Sequence, residues 1–119
     1  DLHSTSRRQR QMCIRDRPLG SHHPKHTDII YPVNYGYVPH IFSADGEEVD
    51  VYLLGVSQPV EKYKGRVIAV IHRLDDVEDK WIAAPTGVTF TPDEIEKAVN
   101  FQEQYFQHEI EMLDPNGDK

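Results

Sequence analysis

The sequence has one cysteine, no long apolar run and no metal-binding cysteine motif, and each of these absences excludes a class of protein. Cys13 cannot form an internal disulfide, and one thiolate does not make a zinc or iron–sulfur site. Any metal must therefore be bound by oxygen or imidazole. No apolar segment approaches the ~18 residues that span a bilayer, and no secretory-signal pattern is visible. A chain of 119 residues is thus predicted to be a one-domain, soluble, cytoplasmic protein without a membrane partner.

Basic residues are scarce beyond the first seventeen positions. Residues 1–17 contain five Arg and two Asp, whereas residues 18–119 contain eight basic and eighteen acidic side chains, a net charge of −10. Because nucleic acids bind basic surfaces, this composition argues against a nucleic-acid partner. It does not argue against an anionic substrate that arrives with a divalent metal.

Residues 1–17 show no helical or alternating pattern, and we predict that they are disordered. Residues 8–17 also resemble the translated ends of sequencing adapters, which predicts a non-native extension. A basic arm that binds a polyanion is the alternative. The folded domain is assigned to residues 18–119.

The remaining pattern predicts an α+β fold. Short apolar or aromatic segments separated by turn residues predict strands at residues 29–37, 49–56, 66–72 and 81–84, which is typical of a small barrel. Thr91, Pro92 and Glu94 form a capping-box helix start, and apolar residues at three- and four-residue steps extend the predicted helix to about Leu113. We expect a five-stranded OB-like β-barrel with this C-terminal helix packed outside.

Two acidic segments, residues 45–50 and 75–80, flank predicted strands. Crowded carboxylates repel one another, so a cation, a basic partner or solvation must offset their charge. If Val49 and Val51 face the core, Asp50 faces the opposite side of its strand. Carboxylates that converge from two segments suit Mg²⁺, which prefers oxygen ligands. Solvated acidic turns are the alternative.

The segment Tyr31-Pro-Val-Asn-Tyr-Gly-Tyr37, followed by Asp45-Gly-Glu-Glu-Val-Asp50, resembles the signature region of the soluble Mg-dependent inorganic pyrophosphatases. The likeness continues through residues 75–80 and 101–105 and covers roughly residues 18–113. It implies hydrolysis of pyrophosphate to two phosphates with Mg²⁺, Mn²⁺ being an alternative, by a homo-oligomer. It also implies that the native N-terminus is truncated, because relatives have a further strand there.

The resemblance also implies roles for particular residues. It makes Asp45, Asp50, Asp76 and Asp79 the metal ligands, although the choice between Glu78 and Asp79 is open. Glu47 and Asp50 are the candidate catalytic carboxylates, and relatives have Asp where this chain has Glu47.

Substrate contacts follow from the resemblance and from charge. Lys80, Tyr35 and Tyr105 match phosphate-binding positions, while Arg73 and Lys25 are further candidates because a cation can neutralise phosphate oxygens. Tyr35 has the alternative of packing inside the barrel. Phe106 stands where many relatives have lysine, and the helical pattern turns it toward the core.

Two further alternatives stay open. Three histidines, at positions 22, 23 and 26, suggest zinc, but Pro24 prevents a regular helix from aligning them, so surface histidines are favoured. A non-catalytic metal- or phosphate-binding barrel that has lost turnover, or a hydrolase of another phosphate ester or nucleotide, would also fit the acidic segments.

Overall fold

The structure is a computed structural model that describes residues 9–75 and 78–113. Within these residues the chain forms six strands and one helix. In order they are β1 (Gln9–Arg17), β2 (Asn34–Phe42), β3 (Glu48–Leu53), β4 (Lys62–Arg73), β5 (Asp79–Ala84), α1 (Pro92–Glu103) and β6 (His108–Met112). None of the described helical residues form a segment long and apolar enough to cross a membrane.

Five of the strands close into a barrel. Their order is β1-β2-β3-β5-β4, and β1 also pairs with β4. The β3–β5 pair is parallel and the other pairs are antiparallel. β6 lies outside the closed barrel and pairs with residues 69–73 of β4, past the part of that strand that β1 occupies. The predicted five-stranded barrel is therefore confirmed, and β6 is an additional strand.

β1 corrects the expectation of disorder, because Gln9–Arg17 is a strand of the barrel. Its two apolar side chains, Met12 and Ile14, are two residues apart and fully buried. This alternation is too short to stand out among charged neighbours. Gly36 of β2 permits the close approach of β1, since a Cβ there would collide with the Cys13 carbonyl group. The non-native origin of residues 1–17 stays a prediction.

Two apolar clusters lie on opposite faces of the barrel wall. All five barrel strands contribute to the interior cluster, whose largest member is the buried Trp81. The outer cluster lies under α1, where Ile95 and Val99 of the helix pack with Ile71 and Ile82 of the strands. Fully burying one such aliphatic side chain contributes about 1.5–3 kcal/mol. The helix therefore covers one outer face of the barrel, as predicted.

The helix start is confirmed and the predicted helix end is wrong. Thr91 Oγ1 accepts from the Glu94 backbone N–H at 3.1 Å, and Glu94 Oε1 accepts from the Thr91 backbone N–H at 2.8 Å. The helix ends at Glu103, ten residues before Leu113. Phe106 consequently lies in the turn after the helix and is only partly buried.

β6 replaces the predicted last turns of the helix for a tertiary reason. Residues 69–73 of β4 extend past β1 and would leave backbone N–H and C=O groups without partners on that edge. Pairing with His108–Met112 satisfies them. Ile110 and Met112 lie two residues apart and pack against the outer cluster. The local sequence carries both a helical and an alternating pattern, and the strand pairing decides between them.

Candidate active site

A cavity of about 470 Å³ lies on the outer face of the barrel, beside the C-terminal end of α1. Its lining includes Tyr35 from β2, Asp50 from β3 and Lys80 from β5. Asp50 and Lys80 are partners in the parallel ladder, so their side chains leave the sheet on the same face. The barrel thereby brings three residues from three separate strands to one place.

The ammonium group of Lys80 is held by three oxygens. Its Nζ lies 2.5 Å from Asp50 Oδ2, 2.8 Å from Glu78 Oε1 and 3.0 Å from the Tyr35 hydroxyl. An ammonium group has three N–H donors, and all three have an acceptor here. Burial alone would lower the pKa of Lys80, but Tyr35, Asp50 and Glu78 outweigh burial and raise that pKa above its ordinary value. Lys80 is therefore charged at neutral pH.

The Tyr35 hydroxyl links the lysine to the aspartate. It donates to Asp50 Oδ2 at 3.0 Å while it accepts from Lys80. Burial raises the pKa of Tyr35 well above its usual range, so the hydroxyl keeps its proton. The Asp50 side chain is 31% exposed, and its Oδ1 accepts no hydrogen bond from residues 9–75 or 78–113. The Asp50 carboxylate thus lines the cavity and is partly open to solvent.

A second ion pair, between Arg73 and Glu103, lies next to the cavity. Glu103 is fully buried and accepts from Arg73 Nε at 3.1 Å and from Arg73 Nη2 at 2.7 Å. The Arg73 guanidinium also lies over the Phe106 ring, 3.7 Å from its centroid. Burial alone would lower the pKa of Arg73, but Glu103 outweighs it and raises that pKa. The pair joins β4 to the end of α1.

Aromatic rings connect this ion pair to the lysine. Tyr31 stacks on Tyr35 with centroids 5.5 Å apart, and Tyr35 packs against Tyr52 at 4.7 Å. The Tyr52 hydroxyl donates to Glu103 Oε2 at 2.6 Å and accepts from Gln102 Nε2 at 2.6 Å. Tyr31 and Tyr35 therefore lie together in the outer cluster.

Comparison with protein-family models identifies the family of this chain. The family model described as inorganic pyrophosphatase matches residues 7–112, most of the chain. The chain belongs to the inorganic pyrophosphatase family.

Individual relatives agree with this assignment. The chain is 37% identical over 65 residues to an inorganic pyrophosphatase of Rickettsia felis, a match covering 51% of this chain and 38% of the relative. It is 41% identical over 59 residues to one of Neisseria meningitidis serogroup A, covering 45% and 33% of the two chains. The matched part therefore spans well under half the length of these relatives.

The fold is similar to that of solved pyrophosphatases. A crystal structure of inorganic pyrophosphatase from Ehrlichia chaffeensis superposes with a TM-score of 0.65 at 20% identity, covering 89% of this chain and 86% of that one. At this level of identity the likeness concerns the fold alone.

The carboxylates of the first acidic segment, residues 45–50, lie in two different places in this pyrophosphatase-family chain. Asp50 lines the cavity, whereas Asp45 and Glu47 are exposed in the turn before β3 and are not part of the lining. Asp45 Oδ1 accepts from the Ser43 hydroxyl at 2.6 Å and from the Glu47 backbone N–H at 3.0 Å, and these bonds lower the pKa of Asp45. Asp45 thus caps its own turn.

In the second acidic segment, the neighbouring side chains of Glu78 and Asp79 point in different directions. Glu78 reaches Lys80 and lies 3.5 Å from Arg73 Nη1. Asp79 lies in the opposite direction, where its Oδ1 is 3.3 Å from His72 Nδ1. Of the two carboxylates left open by the sequence, Glu78 is the one that contacts Lys80, although it is not part of the cavity lining. The predicted ligand Asp76 lies outside the described residues.

Three predicted substrate contacts differ in position. Arg73 lines the cavity, but the bonds to Glu103 occupy two of its three guanidinium nitrogens. Tyr105 also lines it, from the turn after α1 and with 66% of its surface exposed. Lys25 is exposed on the loop between β1 and β2 and is not part of the cavity lining.

The described carboxylates do not assemble a metal centre. Within residues 9–75 and 78–113, no three His, Cys, Asp or Glu side chains are grouped so that they could hold a metal ion. Asp50 lines the cavity and shares the Lys80 ammonium group with Glu78, which is not part of the lining. Asp28 is the second carboxylate of the lining. Among the residues that the structure describes, this arrangement does not fit a resident magnesium ion, although the family is typically magnesium-dependent.

Seven residues of the cavity wall were not predicted from the sequence: Arg17, His23, His26, Asp28, Ile29, Gln102 and Phe106. Arg17 was assigned to a disordered segment, and His23 to the surface. Gln102 interrupts the apolar face of α1, and this interruption could have identified it from the sequence as a candidate functional residue. It bridges the Tyr31 and Tyr52 hydroxyls instead of packing in the core.

Proposed function

We propose that this chain hydrolyses inorganic pyrophosphate to two phosphates. The observation that carries the proposal is the grouping of Tyr35, Asp50 and Lys80 at one cavity, in a chain that belongs to the inorganic pyrophosphatase family. A buried ammonium group can bind phosphate oxygens, and an adjacent carboxylate can accept a proton from water.

Charge balance indicates which form of the substrate would bind. Arg73 and Lys80 are two cations against three carboxylates, Asp50, Glu78 and Glu103. The cavity lining adds one charge of each sign, Arg17 and Asp28, so the site has no excess positive charge. Pyrophosphate is a polyanion, and a cavity without excess positive charge does not attract it. We therefore take its magnesium complex as the substrate, with the manganese complex as the alternative.

Each residue of the cavity then has a separate proposed role in hydrolysis. Lys80 would exchange one internal acceptor for a phosphate oxygen, since its three donors are already used. Asp50 Oδ1, on a carboxylate that lines the cavity, would hold a water and take its proton, while Tyr35 keeps Oδ2 in place. Glu47 is kept as a catalytic candidate through the resemblance alone, because it lies in an exposed turn.

Phosphate release from pyrophosphate with Mg²⁺ tests the proposal, with Asp50→Asn as the variant. Loss of a general base lowers rates by about 10²–10⁴-fold. Asp93→Asn, at an exposed position in the first turn of α1, is the matched control and should release phosphate as the wild type does. Equal rates for Asp50→Asn and wild type would remove Asp50 from the mechanism.

A second candidate function is binding without turnover, and one observation favours it. All three donors of Lys80 already have acceptors within the protein. Calorimetry with magnesium pyrophosphate, run beside the phosphate assay, separates the two functions. Binding with no phosphate released would support the second. ATP in the same assay tests hydrolysis of a nucleotide.

The remaining expectations concern the cell. A homo-oligomer and a cytoplasmic location stay predictions that follow from the family resemblance and the sequence. Sedimentation of the purified chain measures the first directly.

A further inference from the structure

His23 forms part of the cavity wall, on the loop that joins β1 to β2. Backbone pairing holds the loop in place around this residue. An isolated bridge pairs His22 with Ile30, and the His23 backbone N–H donates to the Ile29 carbonyl at 2.9 Å. The imidazole is therefore carried by a fixed backbone.

The protonation state of His23 follows from its hydrogen bonds. Its Nδ1 accepts from the backbone N–H groups of Lys25 and His26, both at 3.1 Å. A backbone N–H can only donate, so Nδ1 must present a lone pair to both groups. The ring proton therefore resides on Nε2, and a second proton could be added only at the cost of both loop hydrogen bonds.

The orientation of the ring is also fixed. It stacks on Tyr31 with an interplanar angle of 13° and centroids 6.1 Å apart. Tyr31 is fully buried and stacks in turn on Tyr35. Within the part of the chain that the structure describes, Nε2 of His23 has no hydrogen-bond partner. The ring thus brings one unused N–H donor to the cavity.

The charges around His23 keep it neutral. Burial lowers the pKa of His23, and Arg17 of β1 and the loop residues His26 and Lys25 lower it further. A neutral imidazole keeps its Nε2–H at neutral and alkaline pH. Its lone pair on Nδ1 is engaged, which also leaves the ring poorly suited to bind a zinc ion.

We propose that His23 is a substrate-binding residue that donates its Nε2–H to a non-bridging phosphate oxygen of the bound diphosphate. The inference rests on the proposed function for its ligand. It assigns to the loop between β1 and β2 a role in recognising the anion, opposite the strand residues Asp50 and Lys80. Because this donor is neutral, it recognises an acceptor oxygen without adding to the charge of the cavity.

Two substitutions test the roles of the two ring nitrogens separately. In His23→Asn the amide oxygen can replace Nδ1 as the acceptor of the loop N–H groups, but no donor reaches the position of Nε2. In His23→Gln the amide N–H can reach that position, but the loop loses its acceptor. We expect His23→Asn to bind more weakly with little loss of stability, and His23→Gln to retain more of the affinity.

The ligand for calorimetry is the magnesium complex of methylenediphosphonate, whose P–C–P bridge is not hydrolysed. Loss of one hydrogen bond to a charged group should weaken binding by His23→Asn about tenfold or more. His22→Asn, at an exposed position on the same loop, is the control and should bind like the wild type. Wild-type affinity in His23→Asn would overturn the proposal.

Nitrogen-15 NMR of the histidine rings distinguishes failure of this proposal from failure of the proposed function. The free protein should show His23 protonated at Nε2 only, and the ligand should shift that N–H resonance. If the wild type binds no diphosphate, the proposed function fails, and inorganic phosphate is then titrated instead. A His23 resonance that phosphate leaves unmoved, or a proton found on Nδ1, would refute the assignment.

Discussion

Replacing Glu103 by glutamine is expected to destabilise the fold strongly, because it removes the carboxylate that accepts two hydrogen bonds from the buried Arg73 guanidinium. Glu103 is fully buried and accepts three hydrogen bonds, two from Arg73 and one from the Tyr52 hydroxyl. Glutamine has the same shape, but it has only one acceptor oxygen, and its amide N–H₂ would face the donors of Arg73.

The size of the effect follows from this geometry. Removing one partner of a buried ion pair costs about 3–5 kcal/mol, while a whole domain is stable by only about 5–15 kcal/mol. Glu103→Gln should therefore remove a large part of the stability. At about 4 °C per kcal/mol for a domain near this size, the melting temperature should fall by roughly 12–20 °C.

Urea unfolding followed by tryptophan fluorescence measures this change. Trp81 is the only tryptophan of the sequence and is buried in the barrel interior, so its emission reports loss of the core. Glu109→Gln, at an exposed position on β6, is the matched control and should change stability by less than about 0.5 kcal/mol.

A double variant tests the cause. Arg73→Met with Glu103→Leu removes both charges together, and it should be more stable than Glu103→Gln because no buried guanidinium is left without its Glu103 acceptor. The reasoning fails if Glu103→Gln costs less than about 1 kcal/mol, or if the double variant is no more stable than the single one.

Three further predictions address the helix start, a histidine and the lysine of the cavity. Thr91→Ala removes the capping hydroxyl and should cost about 1 kcal/mol in the same urea assay; no change would mean that the capping box does not stabilise α1. Burial lowers the pKa of His108, but the Phe106 carbonyl and Glu96 outweigh it and raise that pKa. The stabilisation is therefore fully present below the ordinary pKa of about 6.5 and is lost as pH rises through the raised value. Wild type should exceed His108→Gln in unfolding free energy by more at pH ~5.5 than at pH ~9, and a pH-independent gap would contradict this. Lys80→Met removes the internal cation, so calorimetry should show tighter binding of free Mg²⁺ than in the wild type; unchanged binding would mean that Lys80 does not neutralise Asp50 and Glu78.

Most of the barrel could be predicted from local patterns. Residues 67–71 and 81–84 are apolar throughout, because these strands are covered on both faces, by the interior cluster and by the outer cluster under α1. The helix start was predictable for a different reason. Thr91 and Glu94 interact three residues apart, so the capping box is complete within the sequence that encodes it.

The errors share one cause, which is pairing between distant segments. Residues 9–17 form a strand because β2 and β4 both offer them hydrogen-bonding edges, and residues 108–112 leave the helical pattern because β4 offers another. The sequences of β1 and β6 do not themselves indicate that β2 and β4 have edges free to pair with them. Local periodicity gives no information about such partners.

The sequence by itself determined that the chain would close a small barrel, begin a helix at Thr91 and carry more carboxylates than cations. Only the tertiary structure decided how those carboxylates are neutralised. The parallel pairing of β3 with β5 places Asp50 beside Lys80, and the alternation of β5 turns Asp79 away from them. Which charges meet depends on strand register, and register is a property of two segments at once.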